Sequence, residues 1–123
     1  DVLEVVASVY VEDNNSTDTL TLKLKLGTEE IVATAAVDAA DGDVGFIHAF
    51  ITIRDDGASG SISAHGVQGL GVPGTVTAKP FFKAAAAENL SAAVALILTL
   101  TWSVAHADNE AEVQDFHVIH HRA

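Results

Sequence analysis

Cysteine and methionine are both missing from this chain of 123 residues. Without cysteine, a disulfide, a thiol nucleophile or a thiolate-bound metal is impossible, so the fold must be held by its own core. A chain of this length buries roughly two-thirds of its unfolded surface on folding, which is enough without covalent cross-links. We therefore expect a single domain over residues 1–123 that requires neither a metal nor a cofactor.

Basic residues are scarce too: six Lys and Arg stand against 17 Asp and Glu, a formal net charge of −11. Nucleic acids and anionic membrane surfaces both bind clustered cations, so neither is expected as a partner. No apolar run reaches the ~18 residues that suggest a membrane span, and no signal segment opens the chain. The lack of a first methionine predicts a chain that is processed, trimmed or part of something longer.

Alternation of apolar and polar residues dominates what is present. In residues 19–26, Leu takes every second position while Thr and Lys take the others, which is typical of a half-buried strand. Comparable runs predict about eight strands, at residues 2–11, 19–26, 29–36, 45–54, 61–67, 75–82, 92–104 and 110–120. Residues 83–91 are left as either a helical turn or a connection. The chain is therefore predicted to be all-β, an antiparallel, jelly-roll-like β-sandwich.

Turn residues and strand phases refine this prediction. The Asn-rich residues 13–18 are interpreted as a hairpin loop between the first two strands. Gly42, Gly57 and Gly60 are expected to reverse the chain through positive φ angles. The core is predicted to contain seven large side chains in phase, namely Leu20, Leu22, Leu24, Leu96, Leu98, Leu100 and Trp102.

The segment HVIHH, residues 117–121, looks like a metal site at first. On a strand, however, His117 and His121 share one face while His120 points away. Metal sites usually need three or more convergent ligands, so a solvated or interface-facing cluster is favoured. For His106, in the turn AHADN, a local turn role is favoured over catalysis.

Three aspartates, Asp38, Asp41 and Asp43, lie close together in DAADGD and resemble a calcium loop. The EF-hand loop also needs a Glu at its twelfth position, where this chain has Ala49 inside a strand. A solvated turn is therefore favoured, and the aspartates remain weak candidates for a surface calcium site. Residues 13–18 are interpreted in the same way.

Catalytic patterns are also incomplete, so an enzyme is not expected. Ser59 in GASGS lacks the glycine spacing and the following helix of a nucleophile elbow. The glycines of residues 66–74 are followed by neither a helix nor a Lys placed for phosphate. Trp102 is in phase with core leucines, and Tyr10 is the only tyrosine, so a sugar-stacking surface has little support.

Four segments carry a resemblance to a known group: VEDNNSTDTLTLKLKLG, IVATAAVDAADGDVGFIHAFITIR, DGASGSISAHG and LTLTWSVAHADNEAEV. They resemble small β-sandwich proteins of the virion type encoded by tailed bacteriophages and prophages, over about Val9 to Val113. In that group an Asn-rich hairpin precedes a strand ending in Leu-Gly, and an Arg-bearing strand leads into a Gly-Ala-Ser-Gly turn. The resemblance implies a sandwich in a viral structural context and no active-site residues. It also implies that strand sequence found before the point matching Asp1 is missing or diverged here.

The function expected from patterning and resemblance is that of a virion structural protein. A capsid decoration, head-fibre or similar accessory subunit would be located in the virion and contact other virion proteins such as the major capsid protein. One alternative is a receptor-binding tail-fibre tip that recognises a host surface glycan. A third is an extracellular filament subunit that assembles by β-strand exchange.

Self-assembly is expected because several strands carry apolar residues on both faces. An isolated sandwich hides only one face of each sheet, so the other face needs cover. The predicted oligomer-interface residues are Val6, Tyr10, Phe46, Phe50 and Ile97. The resemblance adds that the homo-oligomer is a trimer. At a net charge of −11, salt should strengthen the assembly by screening self-repulsion.

Overall fold

The computed structural model describes residues 1–122, which form eight β-strands and no helix. The strands are β1 (Val2–Asp13), β2 (Leu20–Leu26), β3 (Glu29–Ala33), β4 (Val44–Asp55), β5 (Ser61–Gly71), β6 (Lys79–Ala87), β7 (Leu96–Trp102) and β8 (Glu110–His121). Accordingly, these residues offer no helix long and apolar enough to cross a membrane. The prediction of an all-β chain with about eight strands is confirmed.

The strands form two antiparallel sheets, as a β-sandwich requires. The five-stranded sheet has the order β6-β5-β4-β1-β8, and the three-stranded sheet has the order β3-β2-β7. The pair β1/β8 and the pair β2/β7 are nested along the chain, as in a jelly roll. By contrast, β4, β5 and β6 follow one another as a meander.

The core lies between the sheets and uses every second residue of the central strands. Leu20, Leu22, Leu24 and Leu26 of β2 are at most 3% exposed. They face side chains of β1, β4 and β5, among them Val5, Ala7, Val9, Val11, Ile47, Ala49, Ile51, Ile62 and Ala64. A Cβ at Gly45 would lie 2.6 Å from a methyl group of Leu22. The absence of a side chain there lets β2 pack closely on β4.

One long edge of the sandwich, which we term the closed edge, joins β3 to β6. Lys83 Nζ lies 3.0 Å from Glu29 Oε2, and the Thr28 hydroxyl donates to Glu88 at 2.9 Å. Gly27 has a φ of 58°, and a Cβ there would lie 2.0 Å from a Glu88 carboxylate oxygen. A glycine at position 27 allows both the positive φ angle and the close approach of Glu88. The tight backbone turn and the side-chain contacts thus join the two sheets at this edge.

Two predictions about connections require correction. Residues 13–18 do not close a hairpin, because β1 and β2 belong to different sheets and the loop crosses between them. Near its middle, the loop is bound to the turn before β8, because the backbone amide of Asn15 donates to Asn109 Oδ1 at 2.7 Å. The second prediction, for residues 83–91, is wrong only in part: residues 83–87 belong to β6, while residues 88–91 lie in the connection from β6 to β7. Pairing with β5 overrides the weak strand propensity of this Ala-rich segment.

The burial prediction is confirmed for β2 but only partly for β7. Leu20, Leu22 and Leu24 are fully buried. The β7 side chains Leu96, Leu98, Leu100 and Trp102 pack against the core but are only partly buried. The physical reason is that β7 is the last strand of its sheet, so one flank of each side chain lacks a neighbour.

The three predicted turn glycines act in two different ways. Gly42 and Gly57 have positive φ angles of 86° and 78°, as predicted. Gly60 has no such angle and is instead buried beneath the chain, where a Cβ would lie 2.7 Å from the Glu88 carbonyl oxygen. At this position glycine is required for close approach of two backbones.

Candidate interaction surfaces

The side of the five-stranded sheet that points away from the core is rich in apolar and aromatic side chains, and we term it the outward face. Alternate residues lie there because their neighbours in the register point into the core. Its apolar members include Val6, Tyr10, Phe46, Phe50, Phe82 and Ile119. Phe82 is 78% exposed, while Val6, Phe46 and Phe50 are partly covered by their neighbours.

Aromatic rings on the outward face are held in place by the strands beside them. Phe46 lies across Gly69 of β5, where a Cβ would come within 2.8 Å of the ring. Phe50 stacks on the His65 ring, with centroids 5.3 Å apart and an interplanar angle of 15°. The His48 ring lies 5.0 Å from Phe50 on the other side. The rings therefore form a fixed surface.

A carboxylate near the start of β1 joins three strands of the outward face. The two oxygens of Glu4 on β1 lie 2.7 Å from His48 Nε2 on β4 and 2.8 Å from His121 Nε2 on β8. Hydrogen bonds from His121 and then His48 favour the ionised carboxylate, which lowers the pKa of Glu4 below its ordinary value. This trio ties β8 to β1 and β1 to β4.

Four of the five predicted interface residues gather on the outward face. Val6 and Tyr10 come from β1, and Phe46 and Phe50 come from β4, its partner. Ile97 lies elsewhere: it pairs with Lys25 on the outer side of the three-stranded sheet. The sequence patterns missed Phe82 and Ile119, although the paired Phe81 and Phe82 signalled one inward and one outward ring.

A groove of about 570 Å³ opens at one end of the outward face. Tyr10 and Phe46 supply aromatic walls, and Ser8, Glu112 and Gln114 supply polar groups. The Gln114 amide donates to Glu112, so the two polar side chains lie side by side. The groove thus combines aromatic faces with hydrogen-bonding groups.

The three aspartates proposed as a calcium site do not form one coordination shell. Asp43 is only 5% exposed, and its carboxylate accepts a hydrogen bond from the Ala40 amide at 2.8 Å. Asp38 and Asp41 are exposed in the adjoining loop. Within residues 1–122, no three His, Asp or Glu side chains are grouped to hold a metal ion. Asp43 serves the turn instead.

The histidines of HVIHH are arranged on β8 as the strand pattern predicts. His117 and His121 pair with Val6 and Val2 and lie on the outward face. His120 points the other way, and its Nε2 lies 2.9 Å from an Asp1 carboxylate oxygen. His106 accepts a hydrogen bond from the Asp108 amide at 3.1 Å, which is a local turn role.

The long edge opposite the closed edge is unsealed, and we term the space between β7 and β8 the open cleft. The core-facing side of β8 carries Val113, Phe116 and Val118, which pair with buried residues of β1 yet are 40–45% exposed. They are exposed because the three-stranded sheet ends at β7, so no strand of residues 1–122 lies opposite β8. On the facing sheet, the cleft is lined by the partly buried side chains of β7.

Acidic side chains crowd one end of the open cleft. Glu12, Glu110 and Glu112 line a space of about 430 Å³ together with Leu100 and Trp102. A shared hydrogen bond with Glu112 and the charges of Glu112 and Glu110 raise the pKa of Glu12 above its ordinary value. Neither β7 nor β8 contains a Lys or Arg to offset this charge.

Compared with protein-family models, with curated proteins and with solved structures, the chain matches none. The fold and the surfaces above are therefore the grounds on which a function is proposed.

Proposed function

We propose that this protein is a virion structural protein, an accessory subunit of the capsid decoration or head-fibre kind, which acts by burying surface against neighbouring subunits. The observation that carries the proposal is the outward face, where Phe82 is 78% exposed beside further aromatic and aliphatic side chains. An exposed apolar surface of this kind on a folded domain is typical of a protein interface. The resemblance to phage sandwich proteins supports the viral setting.

The proposed partners are further copies of this chain, as a trimer, and other virion proteins such as the major capsid protein. Fixed aromatic rings favour this role because little side-chain entropy is lost when they are buried. The net charge of −11 opposes self-association at low ionic strength. Assembly through the outward face should therefore strengthen as salt rises, unlike a contact made of salt bridges.

Analytical ultracentrifugation of the isolated chain across a salt series tests the assembly. We expect an oligomer that grows with salt, and we expect Phe82→Ser to weaken it at least tenfold while leaving the fold intact. Val72→Ser is the matched control, because Val72 is 54% exposed but follows β5 instead of lying on the outward face. A monomer at every salt concentration, or equal effects of both variants, would contradict assembly through this face. Electron microscopy of the native particle tests the virion location.

The groove beside Tyr10 favours a second candidate, a tail-fibre tip that recognises a glycan. Aromatic walls with a carboxylate and an amide at the rim are suited to the apolar faces and hydroxyls of a sugar ring. NMR titration with a panel of neutral oligosaccharides tests this function. Saturable shifts confined to residues around Tyr10 and Phe46, lost in Tyr10→Ala, would support it. Shifts spread over the whole surface, or none at any concentration, would reject it.

A further inference from the structure

The free edge of β7 lacks the features by which sheet edges usually avoid pairing. Natural edge strands carry charges, prolines or bulges. The other edge strands conform: β3 has Glu29 and Glu30, β6 has Lys79 and Pro80, and β8 has register shifts. The sequence of β7, LILTLTW, has neither charge nor proline, and its register with β2 is unbroken. Among residues 1–122, β7 is the one edge strand open to a further strand.

The backbone of β7 shows which groups such a strand would meet. The Gly27 amide donates to the Ala95 carbonyl at 2.8 Å, and the Ser103 amide donates to Thr19 at the same distance. In an antiparallel ladder, bonded pairs alternate. The odd-numbered residues of β7 thus bond to β2, and the even-numbered ones direct their N–H and C=O groups outward. The outward-directed groups belong to Leu96, Leu98, Leu100 and Trp102.

The same four residues point their side chains into the open cleft. A strand bound at this edge would therefore contact both their backbone groups and their side chains. A strand added beside β7, about 4.8 Å away, would lie over β8. Its inward side chains would cover Val113, Phe116 and Val118, which are 40–45% exposed. The strand would extend the three-stranded sheet to four strands. An added strand of this kind needs apolar residues at alternate positions.

Charge decides which class of polypeptide fits. Glu12, Glu110 and Glu112 lie at the Trp102 end of the cleft, where a hydrogen bond shared with Glu112, and then the charges of Glu112 and Glu110, raise the pKa of Glu12. A Lys or Arg at this point would offset these charges. A second copy of this chain would instead add a further charge of −11. The five-stranded sheet has β8 beyond β1 and the three-stranded sheet ends at β7, so we expect a symmetric pairing of two β7 strands to bring the two β8 strands into collision.

We propose that the β7 edge and the open cleft bind an extended strand of another polypeptide that has apolar residues at alternate positions and a Lys or Arg where it meets Trp102. Main-chain hydrogen bonds to Leu96, Leu98, Leu100 and Trp102 supply the pairing, and the β8 side chains supply the apolar pocket. The three glutamates select the Lys or Arg at that end of the added strand. Glu112 also borders the groove beside Tyr10, but the strand pairing and the apolar pocket involve no aromatic ring of the outward face, so this binding stands or falls separately from the assembly proposed above.

The probe is a synthetic peptide as long as β7 in which valine alternates with threonine, and a lysine replaces the inward valine that would meet Trp102. Trp102 is the only tryptophan and lies at the acidic end of the cleft, so its fluorescence reports occupancy. We expect saturable binding at least tenfold tighter than that of the same peptide with glutamate in place of the lysine, or of a peptide of the same composition in which valine and threonine do not alternate. Hydrogen exchange should slow at the even-numbered amides of β7. No binding, or equal binding of all three peptides, would overturn the proposal.

Two pairs of variants distinguish strand pairing from non-specific hydrophobic binding. Leu98→Pro and Leu98→Ala both truncate the side chain, but only the proline removes an amide directed at the free edge, so it should weaken binding further. If the proline variant does not fold, Phe116→Ser still tests the cleft, and we expect at least a tenfold loss. Phe82→Ser is its control, because it impairs the outward face alone. Self-association that Phe116→Ser abolishes would make a second copy the occupant and overturn the proposal.

Discussion

The two long edges of this sandwich show opposite solutions to the same problem. At the closed edge, an ion pair between Lys83 and Glu29 and a hydrogen bond from Thr28 to Glu88 join the sheets. At the open cleft, β7 and β8 leave apolar side chains and backbone groups exposed, with acidic residues at one end. The comparison shows that the fold can seal an edge and does so only once. The unsealed edge is therefore the place where we propose that a further strand pairs with the sandwich.

The largest expected effect is on the free energy of unfolding when core leucines of a central strand and of an edge strand are truncated. Leu24 and Leu98 are register partners in the three-stranded sheet, but Leu24 is 0% exposed and Leu98 only partly buried. Leu24→Ala should lower the free energy of unfolding by about 2–5 kcal/mol, as for fully buried leucines. Leu98→Ala should cost clearly less, because less apolar surface is returned to water. Urea denaturation measures both, and equal losses would mean that β7 is as enclosed as β2.

The second effect tests the fastening of the closed edge. Glu88 is 7% exposed and accepts hydrogen bonds from Thr28. Glu88→Ala should lower the free energy of unfolding by about 1–3 kcal/mol, as expected when a charged hydrogen-bonding partner is lost. The control at the open edge, Glu112→Ala, should cause no such loss. The comparison fails if the two alanine variants melt at the same temperature.

A third effect should appear as acid sensitivity on the outward face. The folded-state pKa of Glu4 lies below the ordinary value of 4.5, so its stabilising contribution is present above pH 4.5. That contribution is lost as pH falls through the lowered pKa. Glu4→Gln lacks a carboxylate there and should lose less stability between pH 4.5 and pH ~3. Thermal melts across that range check this, and parallel pH profiles would contradict the role of Glu4.

The smallest effect has the opposite sign and belongs to the open cleft. The pKa of Glu12 is raised above 4.5, so its contribution is most favourable at low pH and is lost as pH rises through the raised value. Glu12→Gln should therefore raise the melting temperature slightly at neutral pH, and this gain should vanish below pH 4.5. A gain that is independent of pH would mean that charge repulsion is not its cause.

Strand phases predicted the architecture well because burial enforces a period of two. Leu20, Leu22 and Leu24 follow that rule, and so do the outward positions of Tyr10 and Phe46. Local patterns could not predict which strands are neighbours across sheets, so residues 13–18 were assigned to a hairpin. They also could not separate a central strand from an edge strand, since β2 and β7 alternate equally.

The candidate surfaces depended on that missing information. The placement of Ile97 away from Phe50 follows from sheet assignment, which no periodicity encodes. The open cleft arises because one sheet has five strands and the other has three. The trio of Glu4, His48 and His121 unites residues distant in sequence. The sequence does indicate one property of the cleft: with only six Lys and Arg against 17 Asp and Glu, few basic side chains exist to neutralise its glutamates.

The nested pairing of the first and last strands also governs how fast the chain reaches its fold. The bond between His120 and Asp1 joins residues 119 positions apart, and β1 pairs with β8 along most of its length. Such non-local pairings must close long loops before contacts stabilise them, so we expect folding in milliseconds to seconds. The meander of β4, β5 and β6 needs only short loops and should form first. Until β8 docks, β1 is itself a free edge, and aggregation competes with folding during that interval.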